Sequence, residues 1–561
     1  MVTALAANSF SQRNDKKAID KPQPKIGENS AGWFYRFIMN NSSKFLIGKW
    51  LEAPISRRGL LAAAVATTLS QTSFGKAFGV TSPAFTTILG RPTSTSVAIS
   101  LLANQATKVQ IEYGVTKGRY SLKTATYELV AGTPKVIDLN KLKTNSKIYY
   151  RINTISANSI ETGKEQSFST QKKLGATFSF TVQGDTHPER AGKMFNADLY
   201  NVTMDNIAKQ QPDFHILLGD DFSIDPLIDK GQANQANVEK IYQTHRNWLA
   251  IPGASVPIFL VNGNHEQAAA YLLDGTLTNP AVLAGNARNK FYPLPSPGGF
   301  YSGDTKEVAG IGLLRDYYAW TWGDALFITL DPYWHSKFAV DNVAGVLVPE
   351  DQTATNASDS STVTNKKGGA KAADKPAKQA GGGASKVDNL WNVGIGDEQY
   401  SWFKKTLETS KAKYKFVFAH HVLGTGRGGI EVSTNYEWGG KDPKGQSTFA
   451  KERPNWSLPI HDLMVKNGVQ IFFQGHDHIF CTQERDGLIY QSMPNPADDT
   501  FSMFNESAYK TGVKAPNSGH ARVTVSASQA KVEYFLAARA NDTGRSNLQL
   551  AHSYVVKPKN V

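Results

Sequence analysis

The pattern of apolar and polar side chains changes once along the chain, near residue 171. Residues 82–170 contain short runs that alternate apolar and polar side chains, such as 97–101 and 109–113, with turn residues between them. Alternation of period two with turns at short intervals is typical of an antiparallel β-sandwich. We therefore expect a small all-β domain at 81–171, in which no residue pattern indicates catalysis.

After residue 171, continuous apolar runs alternate with helix-like stretches. The runs are short and rich in β-branched and aromatic residues, as buried strands are, and they occupy 177–182, 214–218, 256–261, 325–330, 415–419 and 469–473. The helix-like stretches occupy 195–210, 237–249, 398–410 and 458–466. This alternation predicts an α/β layered fold. Such folds bind ligands at the carboxyl ends of their strands, so a site is expected in the residues that follow each run.

One segment of this part has the wrong composition for a core. Residues 351–388 contain no aromatic residue, Leu or Ile, and many Gly, Ala, Ser, Thr and Lys. Such a segment buries too little apolar surface to offset the entropy of ordering it. We expect a flexible surface insertion there, inside an α/β domain that spans 172–540 and is followed by a C-terminal tail at 541–561.

The positive charge of the chain is concentrated in its leader. The 561 residues carry a net charge of +13, and residues 1–79, with eleven basic and four acidic side chains, carry +7 of it. The remaining +6 is an ordinary surface balance rather than a basic groove, so no nucleic-acid partner is expected. Cys481 is the only cysteine, which excludes an intramolecular disulfide.

The leader has the features of an export signal. Arg57 and Arg58 directly precede a modestly apolar stretch, 60–69, that is too short to span a bilayer. Paired arginines in this position resemble the bacterial twin-arginine signal. We expect a long, largely disordered n-region at 1–55 and a signal segment at 56–80 that the twin-arginine export machinery recognises. The protein would then be periplasmic or extracellular, with a membrane tether if the leader is not cleaved.

Polar side chains follow five of the predicted strands. In chain order the motifs are Gly184-Asp185-Thr186-His187, Gly219-Asp220-Asp221, Gly263-Asn264-His265-Glu266, His420-His421 and Gly475-His476-Asp477-His478. Any one of them could be a turn or a cap, but five in succession favour a site. Carboxylate, imidazole and amide groups are suitable ligands for two neighbouring metal ions. Such ions convert a bridging water into hydroxide near neutral pH, and this hydroxide would attack a phosphorus atom in line.

The series GD-x-H, GDD, GNHE, HH and GHDH resembles that of the calcineurin-like metallophosphoesterase superfamily over nearly all of residues 176–536. The order of the two domains resembles that of purple acid phosphatases, whose central strand is similar to the stretch 318–331. The resemblance implies an α/β protein, a four-layer α/β/β/α metallophosphoesterase sandwich preceded by a small fibronectin type III-like β-sandwich. It also implies a metal-dependent hydrolase of phosphoric esters.

The resemblance further implies a role for each residue of the motifs. Asp185, His187, Asp220 and His478 would hold the first metal ion, and Asn264, His420 and His476 would complete the second, with Asp220 as the bridge. His265 would be the general acid, or the cation that stabilises the leaving oxygen, and Glu266 would orient it. The two divalent or trivalent ions would be Fe, Mn, Zn or a mixture.

One motif position departs from the purple acid phosphatase pattern, and one pair of adjacent histidines is ambiguous. Ser223 stands where purple acid phosphatases have a metal-binding tyrosine, three residues after the bridging aspartate, so we expect a colourless relative in which His187 takes the vacant position. His420 and His421 are hard to separate by sequence. We favour His420 as the ligand because it directly follows its strand, with His421 behind the ligands or near phosphate.

The expected function is hydrolysis of phosphate monoesters outside the cytoplasmic membrane. One alternative is a phosphodiesterase that acts on nucleotides or phospholipid headgroups. The other is a non-catalytic binding or adhesion protein, against which the intact set of seven ligand positions argues. Weaker candidates for substrate contacts are Arg315, Arg427, Tyr317, Tyr333 and Trp334, for each of which a surface salt bridge or core packing is the simpler interpretation.

Overall fold

The computed structural model describes residues 84–267, 275–336, 390–422, 427–442 and 444–559. The predicted n-region, the twin-arginine segment and the insertion at 351–388 lie outside these residues. The chain from Ser82 onward belongs to one compact unit. Among the helices of the described ranges, none is both long enough and apolar enough to cross a membrane.

The first part of the described chain is an antiparallel β-sandwich, as predicted. Its strands are β1 (Phe85–Gly90), β2 (Val97–Ala103), β3 (Thr107–Gly114), β4 (Leu122–Lys123), β5 (Tyr127–Leu129), β6 (Lys135–Leu139), β7 (Lys147–Ile155), β8 (Ile160–Glu161) and β9 (Gln166–Ser169). One sheet has the order β1-β2-β6, and the other is built around the pair β3 and β7. The alternating aliphatic and aromatic side chains of the two sheets, among them Ile99, Ile111 and Tyr150, form one buried core.

The rest of the chain alternates strands and helices. The strands are β10 (Phe178–Gln183), β11 (Phe214–Leu217), β12 (Ile258–Leu260), β13 (Ser302–Gly303), β14 (Glu307–Val308), β15 (Gly312–Leu313), β16 (Tyr318–Trp322), β17 (Ala325–Thr329), β18 (Tyr414–Phe418), β19 (Ile471–Gln474), β20 (Phe480–Arg485), β21 (Leu488–Ser492), β22 (Val513–Ala515), β23 (Gly519–Val525), β24 (Ala530–Leu536) and β25 (Leu550–Val556). The α-helices are α1 (Ala197–Gln210), α2 (Asp225–Asp229), α3 (Gln235–Gly253), α4 (Asn264–Gln267), α5 (Pro280–Phe291), α6 (Gly396–Thr409), α7 (Tyr436–Gly439), α8 (Phe449–Glu452) and α9 (Ile460–Lys466).

Most of these strands form two large sheets with helices on their outer faces, and β14 and β15 form a separate two-stranded sheet. The six-stranded sheet has the order β12-β11-β10-β23-β24-β25, and the eight-stranded sheet has the order β13-β16-β17-β18-β19-β21-β20-β22. One hydrophobic cluster fills the space between the sheets. A second cluster includes side chains of α1, α3 and α5 over the first sheet, and a third includes side chains of α6 and α9 over the second. The predicted α/β/β/α layering is therefore confirmed.

The core between the sheets is built largely from aromatic rings. Phe180 of β10 is completely buried and contacts rings from both sheets. Its ring centroid lies 5.5 Å from that of Phe214 in the same sheet, and 5.1 Å and 5.5 Å from those of Phe327 and Phe416 in the opposite one. Stacked, tilted and edge-on pairs of this kind add to the hydrophobic gain of burying the rings. This packing fixes the relative position of strands β10, β11, β17 and β18.

All six predicted buried strands are present, but the sequence interpretation missed parts of both sheets. The stretch 318–331 is a hairpin of β16 and β17 that turns at Gly323, whose φ of 55° is favourable for glycine. Strand β23 pairs with β10, and β24 pairs with β23; neither was among the predicted strands. The segment assigned to a C-terminal tail, 541–561, contains β25, which forms the edge of the six-stranded sheet.

A buried arginine ties the β-sandwich to the α/β part. Arg246 of α3 is fully buried and donates hydrogen bonds to the backbone carbonyl of Ser100 at 2.9 Å, to the Ser100 hydroxyl at 3.1 Å and to the carbonyl of Phe291. It also donates to the Thr86 hydroxyl at 3.2 Å. Burial lowers the pKa of this guanidinium to about 10, yet the group stays charged at neutral pH. The strands β1 and β2 therefore depend on α3 for these contacts.

Replacing this arginine should loosen the junction. We expect Arg246→Ala to lower the free energy of unfolding by about 3 kcal/mol, because several buried acceptors lose their donor and a cavity remains. Chemical denaturation measures the change. Arg119→Ala, at an exposed position of the β-sandwich, should change the same quantity by less than about 0.5 kcal/mol. Equal effects of the two substitutions would contradict this role for Arg246.

Candidate metal centre

The five motifs meet where the two sheets present the carboxyl ends of their strands. Strands β10, β11 and β12 come from one sheet, and β18 and β19 come from the other. The backbone N–H of His476 donates to the Asp185 carboxylate at 2.8 Å, and the His420 Nδ1–H donates to the Leu218 carbonyl at 2.8 Å, so hydrogen bonds join the loops of both sheets. All seven predicted ligands are buried, with at most 5 % exposure: Asp185, His187, Asp220, Asn264, His420, His476 and His478.

One group of side chains contains Asp185, His187 and His478, whose ligand atoms lie within 4.8 Å of one another. His478 Nε2 lies 3.1 Å from the Asp185 Oδ2 atom and 3.1 Å from His187 Nε2. His187 Nδ1 faces the Glu189 carboxylate at 2.8 Å, which leaves Nε2 directed at the group. Burial and the neighbouring His478 hold the pKa of His187 well below its usual range, so its ring is neutral and has a lone pair for a metal.

A second group contains Asp220, His420 and His476. His420 Nε2 lies 3.0 Å from the Asp220 Oδ2 atom and 3.0 Å from the Asn264 Oδ1 atom. His476 Nδ1 lies 3.1 Å from the same Asn264 oxygen. Two imidazoles, a carboxylate and an amide oxygen thus converge on one point.

Asp220 lies between the two groups. Its Oδ2 atom is 3.0 Å from His420 Nε2 and 3.6 Å from His187 Nε2, while its Oδ1 atom accepts a hydrogen bond from the His265 backbone N–H at 2.9 Å. One carboxylate oxygen therefore faces both groups, as a shared ligand of two metal ions must.

The electrostatics of the cluster favour a bound cation. Burial lowers the pKa of His420, but attraction to Asp220 and Asp185 outweighs burial and raises this pKa to about 10. A site that stabilises a proton on this ring also stabilises a metal ion in its place. Two carboxylates, four imidazoles and one amide oxygen form a donor set that suits Mn, Fe and Zn. The residues present therefore fit two metal ions.

The backbone at this edge adopts a conformation that non-glycine residues avoid. His187, Asp220, His476 and His478 all have positive φ angles, between 50° and 67°. Each left-handed residue of this kind costs roughly 1 kcal/mol, which the surrounding hydrogen bonds and packing must offset. The conformation directs the side chains of these residues at each other instead of along their strands.

The two adjacent histidines have different surroundings. His420 points at Asp220 and Asn264, whereas His421 stacks on His476 with 4.7 Å between ring centroids. The Nδ1 atom of His421 is 2.9 Å from the Tyr333 hydroxyl, and burial together with the nearby His420 lowers its pKa to about 3. This geometry favours His420 as the ligand and puts His421 behind His476.

The partners of His265 and Glu266 differ from those expected. The Glu266 carboxylate accepts hydrogen bonds from the backbone N–H groups of Gly263, Asp220, Asp221 and Phe222 at 2.6 to 3.1 Å and makes none to His265. The His265 Nδ1 atom instead contacts the Asp225 carboxylate. Glu266 therefore shapes the loops after β11 and β12, and Asp225 orients the His265 ring.

Three functional side chains were missed by sequence reasoning. Glu189, Arg190 and Asp225 lie within five residues of a motif position, and their proximity to it was the only available signal. Arg190 Nη2 is 3.0 Å from the His265 Nε2 atom, on the side of the ring opposite Asp225. Burial lowers the pKa of His265, but Asp220 and the hydrogen bond to Asp225 outweigh burial and raise it to about 9.

Two of the weaker candidates, Arg427 and Tyr333, lie beside the centre, next to His476 and His421. Arg315 has Arg91 and Arg288 as its electrostatic neighbours. Arg427 donates to the His476 carbonyl at 2.8 Å and to the Asp477 carboxylate at 3.0 Å. Asp477 also accepts hydrogen bonds from the Tyr509 hydroxyl and from the backbone N–H of Gly428. Its side chain thus points away from the metal ligands and holds the loop after β19 in position.

Gly475 leaves no room for a side chain beside these ligands. A Cβ atom at this position would lie 2.3 Å from the Asp185 Oδ1 atom and 3.5 Å from His420 Nδ1. We expect Gly475→Ala to displace Asp185 and to lower metal content and hydrolytic activity at least about tenfold, a loss measurable by elemental analysis and initial rates. Gly253→Ala, where the nearest atoms would be 3.4 Å away, is the matched control. Full metal content in Gly475→Ala would contradict this account of the glycine.

Two solved structures are similar to this chain over most of its length. The chain is 15% identical to a structure titled "Structure of PhoD", with a TM-score of 0.56 and coverage of 84% of this chain and 90% of that one. It is 14% identical to purple acid phosphatase PPD1 from seeds of yellow lupin (Lupinus luteus), with a TM-score of 0.49 and coverage of 84% and 74%. At such identities the likeness to PhoD shows the fold alone.

The comparison with protein families is more specific. No curated protein matches the sequence at a significant level. The family model described as calcineurin-like phosphoesterase matches residues 178–480, more than half of the chain, and this range includes every motif residue. The chain therefore belongs to the calcineurin-like phosphoesterase family.

Proposed function

We propose that this protein hydrolyses phosphate monoesters at a dinuclear metal centre. The family implies such a centre and a hydrolase of phosphoric esters. The observation that carries the proposal is the pair of ligand groups that face each other across the Asp220 carboxylate.

Each ligand group suits one ion. In this proposal Asp185, His187 and His478 hold the first ion, Asn264, His420 and His476 hold the second, and Asp220 is shared. When bound, two such ions acidify a water molecule and neutralise charge on the phosphate oxygens. Fe, Mn and Zn are all compatible with this donor set. Ser223 has no phenol to give iron a charge-transfer colour, so the protein should be colourless.

His265 and Arg190 form a cationic pair beside the ligands. The contact of 3.0 Å between Arg190 Nη2 and His265 Nε2 needs a lone pair on the ring, whereas a pKa of about 9 favours a protonated ring. An anion that accepts from both groups removes this conflict, since each then donates outward. A phosphate oxygen is suited to this position. His265 would then donate its Nε2 proton to the leaving oxygen as general acid, while Asp225 holds Nδ1–H.

The charge of this pair favours a monoester over a diester. A monoester carries close to two negative charges near neutral pH and a diester carries one, so two cationic donors next to the metal ligands match the monoester better. A diester would also need space for a second organic group next to the same two side chains.

The location of the protein is a separate part of the proposal. We infer export by the twin-arginine route from Arg57, Arg58 and the apolar stretch after them. This route is suited to a protein whose metal binding is coupled to folding, because the ions can be bound before transport. We also infer that the N-terminal sandwich is of the fibronectin type III-like kind and takes no part in the chemistry.

Initial rates on two chromogenic substrates test the proposed function. With Mn²⁺, Zn²⁺ or Fe²⁺ added to the purified protein, we expect kcat/KM for p-nitrophenyl phosphate to exceed that for bis(p-nitrophenyl) phosphate at least about tenfold, or roughly 1.4 kcal/mol in the barrier. Faster hydrolysis of the diester would favour the phosphodiesterase alternative. If neither substrate is hydrolysed in a metal-dependent way, the result would favour a binding function.

Two substitutions separate metal binding from proton donation. Asn264→Ala should remove one of the two ions of the dinuclear centre, so that the metal content falls by one ion per chain, because an amide oxygen of the second group is lost. His265→Ala should keep both ions while kcat falls by roughly 10² to 10⁴, as for the loss of a general acid. Elemental analysis and initial rates on the same samples measure both effects. Loss of an ion in His265→Ala would assign that residue to the metal ligands instead.

A substitution of Asp225 should change the pH dependence of the reaction. The Asp225 carboxylate raises the pKa of His265, so Asp225→Asn lowers that pKa. Because the acid must be protonated to act, the alkaline fall of kcat should move to lower pH by about one unit. Asp229→Asn, an exposed aspartate at the other end of α2, is the control and should leave the profile in place. If kcat of Asp225→Asn falls at the same alkaline pH as kcat of the unchanged protein, His265 is not the titrating acid.

A further inference from the structure

A second cluster of buried acidic groups lies outside the centre described above. It contains Asp304, Asp316 and His335, whose ligand atoms lie within 4.8 Å of one another, and it shares no residue with the two ligand groups. The three residues come from separate segments, since Asp304 follows β13, Asp316 precedes β16 and His335 lies in the loop after β17. Asp304 is 3 % exposed and Asp316 is completely buried.

Each of the two carboxylates in this cluster has one oxygen atom without a hydrogen-bond partner. Asp304 Oδ1 accepts from the Lys306 backbone N–H at 2.8 Å, and Asp316 Oδ2 faces His335 Nε2 at 2.7 Å. The other oxygens, Asp304 Oδ2 and Asp316 Oδ1, are buried with no hydrogen-bond partner. A carboxylate oxygen left without a partner in a protein interior costs several kcal/mol, so such an atom normally faces an unseen water or ion.

The charge around the cluster is not balanced by protein cations. Asp331, which lies close enough to interact with Asp316 and His335, adds a third buried carboxylate. Among the described residues, no Lys or Arg forms an ion pair with any of the three aspartates, and His335 is the one basic side chain that does. The neighbouring Arg315 has Arg91 and Arg288 as its electrostatic neighbours instead. Three carboxylates thus face a single imidazole.

The pKa values of these groups reflect the same imbalance. Burial, reinforced by the facing Asp316, raises the pKa of Asp304 to about 6. Burial and Asp316 likewise raise the pKa of Asp331 to about 7. Burial lowers the pKa of His335, but the hydrogen bond and the charge of Asp316 outweigh burial and raise it. All three pKa values are raised, as expected for a site that has too little positive charge.

We propose that Asp304, Asp316 and His335 bind a third metal ion, a divalent cation of the Mn²⁺ or Zn²⁺ class. Two carboxylates with one imidazole suit these ions better than Ca²⁺ or Mg²⁺, which prefer oxygen ligands alone. The ion would face the two oxygens that have no other partner and would neutralise the excess of carboxylates.

The position of His335 gives this ion a structural role near the catalytic residues. His335 lies in the loop that also carries Asp331 and Tyr333. Asp331 accepts a hydrogen bond from Asn262, two residues before Asn264, and the Tyr333 hydroxyl lies 2.9 Å from His421 Nδ1. An ion that fixes His335 therefore fixes a loop that supports residues on both sides of the dinuclear centre. The ion itself would take no part in the reaction.

Counting bound ions tests this proposal. The purified protein is saturated with Mn²⁺, freed of excess ion by gel filtration and analysed for metal, and we expect three ions per chain. Asp304→Asn combined with Asp316→Asn should bind two. The matched control is Asp324→Asn, which changes a buried aspartate already paired with Lys413 at 3.1 Å and should keep three. Two ions in the unchanged protein, or three in the double variant, would overturn the proposal and leave two carboxyl groups that share a proton.

A second measurement does not depend on whether the double variant folds. Crystals of the unchanged protein soaked in Mn²⁺ should give an anomalous difference peak between Asp304, Asp316 and His335, in addition to those at the dinuclear centre. His335→Gln should reduce this peak at least about tenfold and leave the others in place. No peak at the cluster in the unchanged protein would overturn the proposal, even if the protein hydrolyses phosphate esters as proposed above.

Discussion

The geometry of the metal centre depends on one buried carboxylate that binds no metal. Glu266 collects four backbone N–H groups from the loops after β11 and β12. Backbone donors of a buried loop must be satisfied, and a single side chain that satisfies four of them fixes the relation of the two loops. Asp220, with its positive φ angle, and Asn264, at the start of α4, are both held by this arrangement. Glu266 therefore helps to position Asp220 and Asn264 relative to each other.

The site combines two regions of opposite electrostatic character. Asp185 and Asp220 create a negative field that raises the pKa of His420 and favours cations. A few ångströms away, His265 and Arg190 form a positive pair that favours an anion. An ester with a terminal phosphate can interact with both regions at once, its oxygens neutralised by cations on one side and bonded to N–H donors on the other. Preorganised charge of this kind stabilises a transition state without further rearrangement.

The sequence predicted which side chains come together better than it predicted the elements around them. Asp185, Asp220 and Asn264 follow buried strands directly, so their meeting point is set by the rule that parallel strands end at one edge. The role of Glu266 was not predictable, because three of its four backbone donors lie more than forty residues away and leave no trace in the sequence. Asp225 and Arg190 depend on how short helical segments fold back over the site. Strand β25 lies in the segment that was assigned to a tail, and four of its seven residues are exposed.

The pairing of β10 with β23 has a consequence for the order in which the protein is made. Residue Phe180 pairs with Val523, so the strand that leads into Asp185 gains one of its neighbours only when nearly the whole chain has left the ribosome. Closing so long a loop is slow, and unpaired edges stay exposed until it closes. The first ligand to be translated, Asp185, therefore follows a strand that gains one of its two neighbours late. A chain that loses its final segment loses half of a sheet, and with it the support of its metal-binding edge.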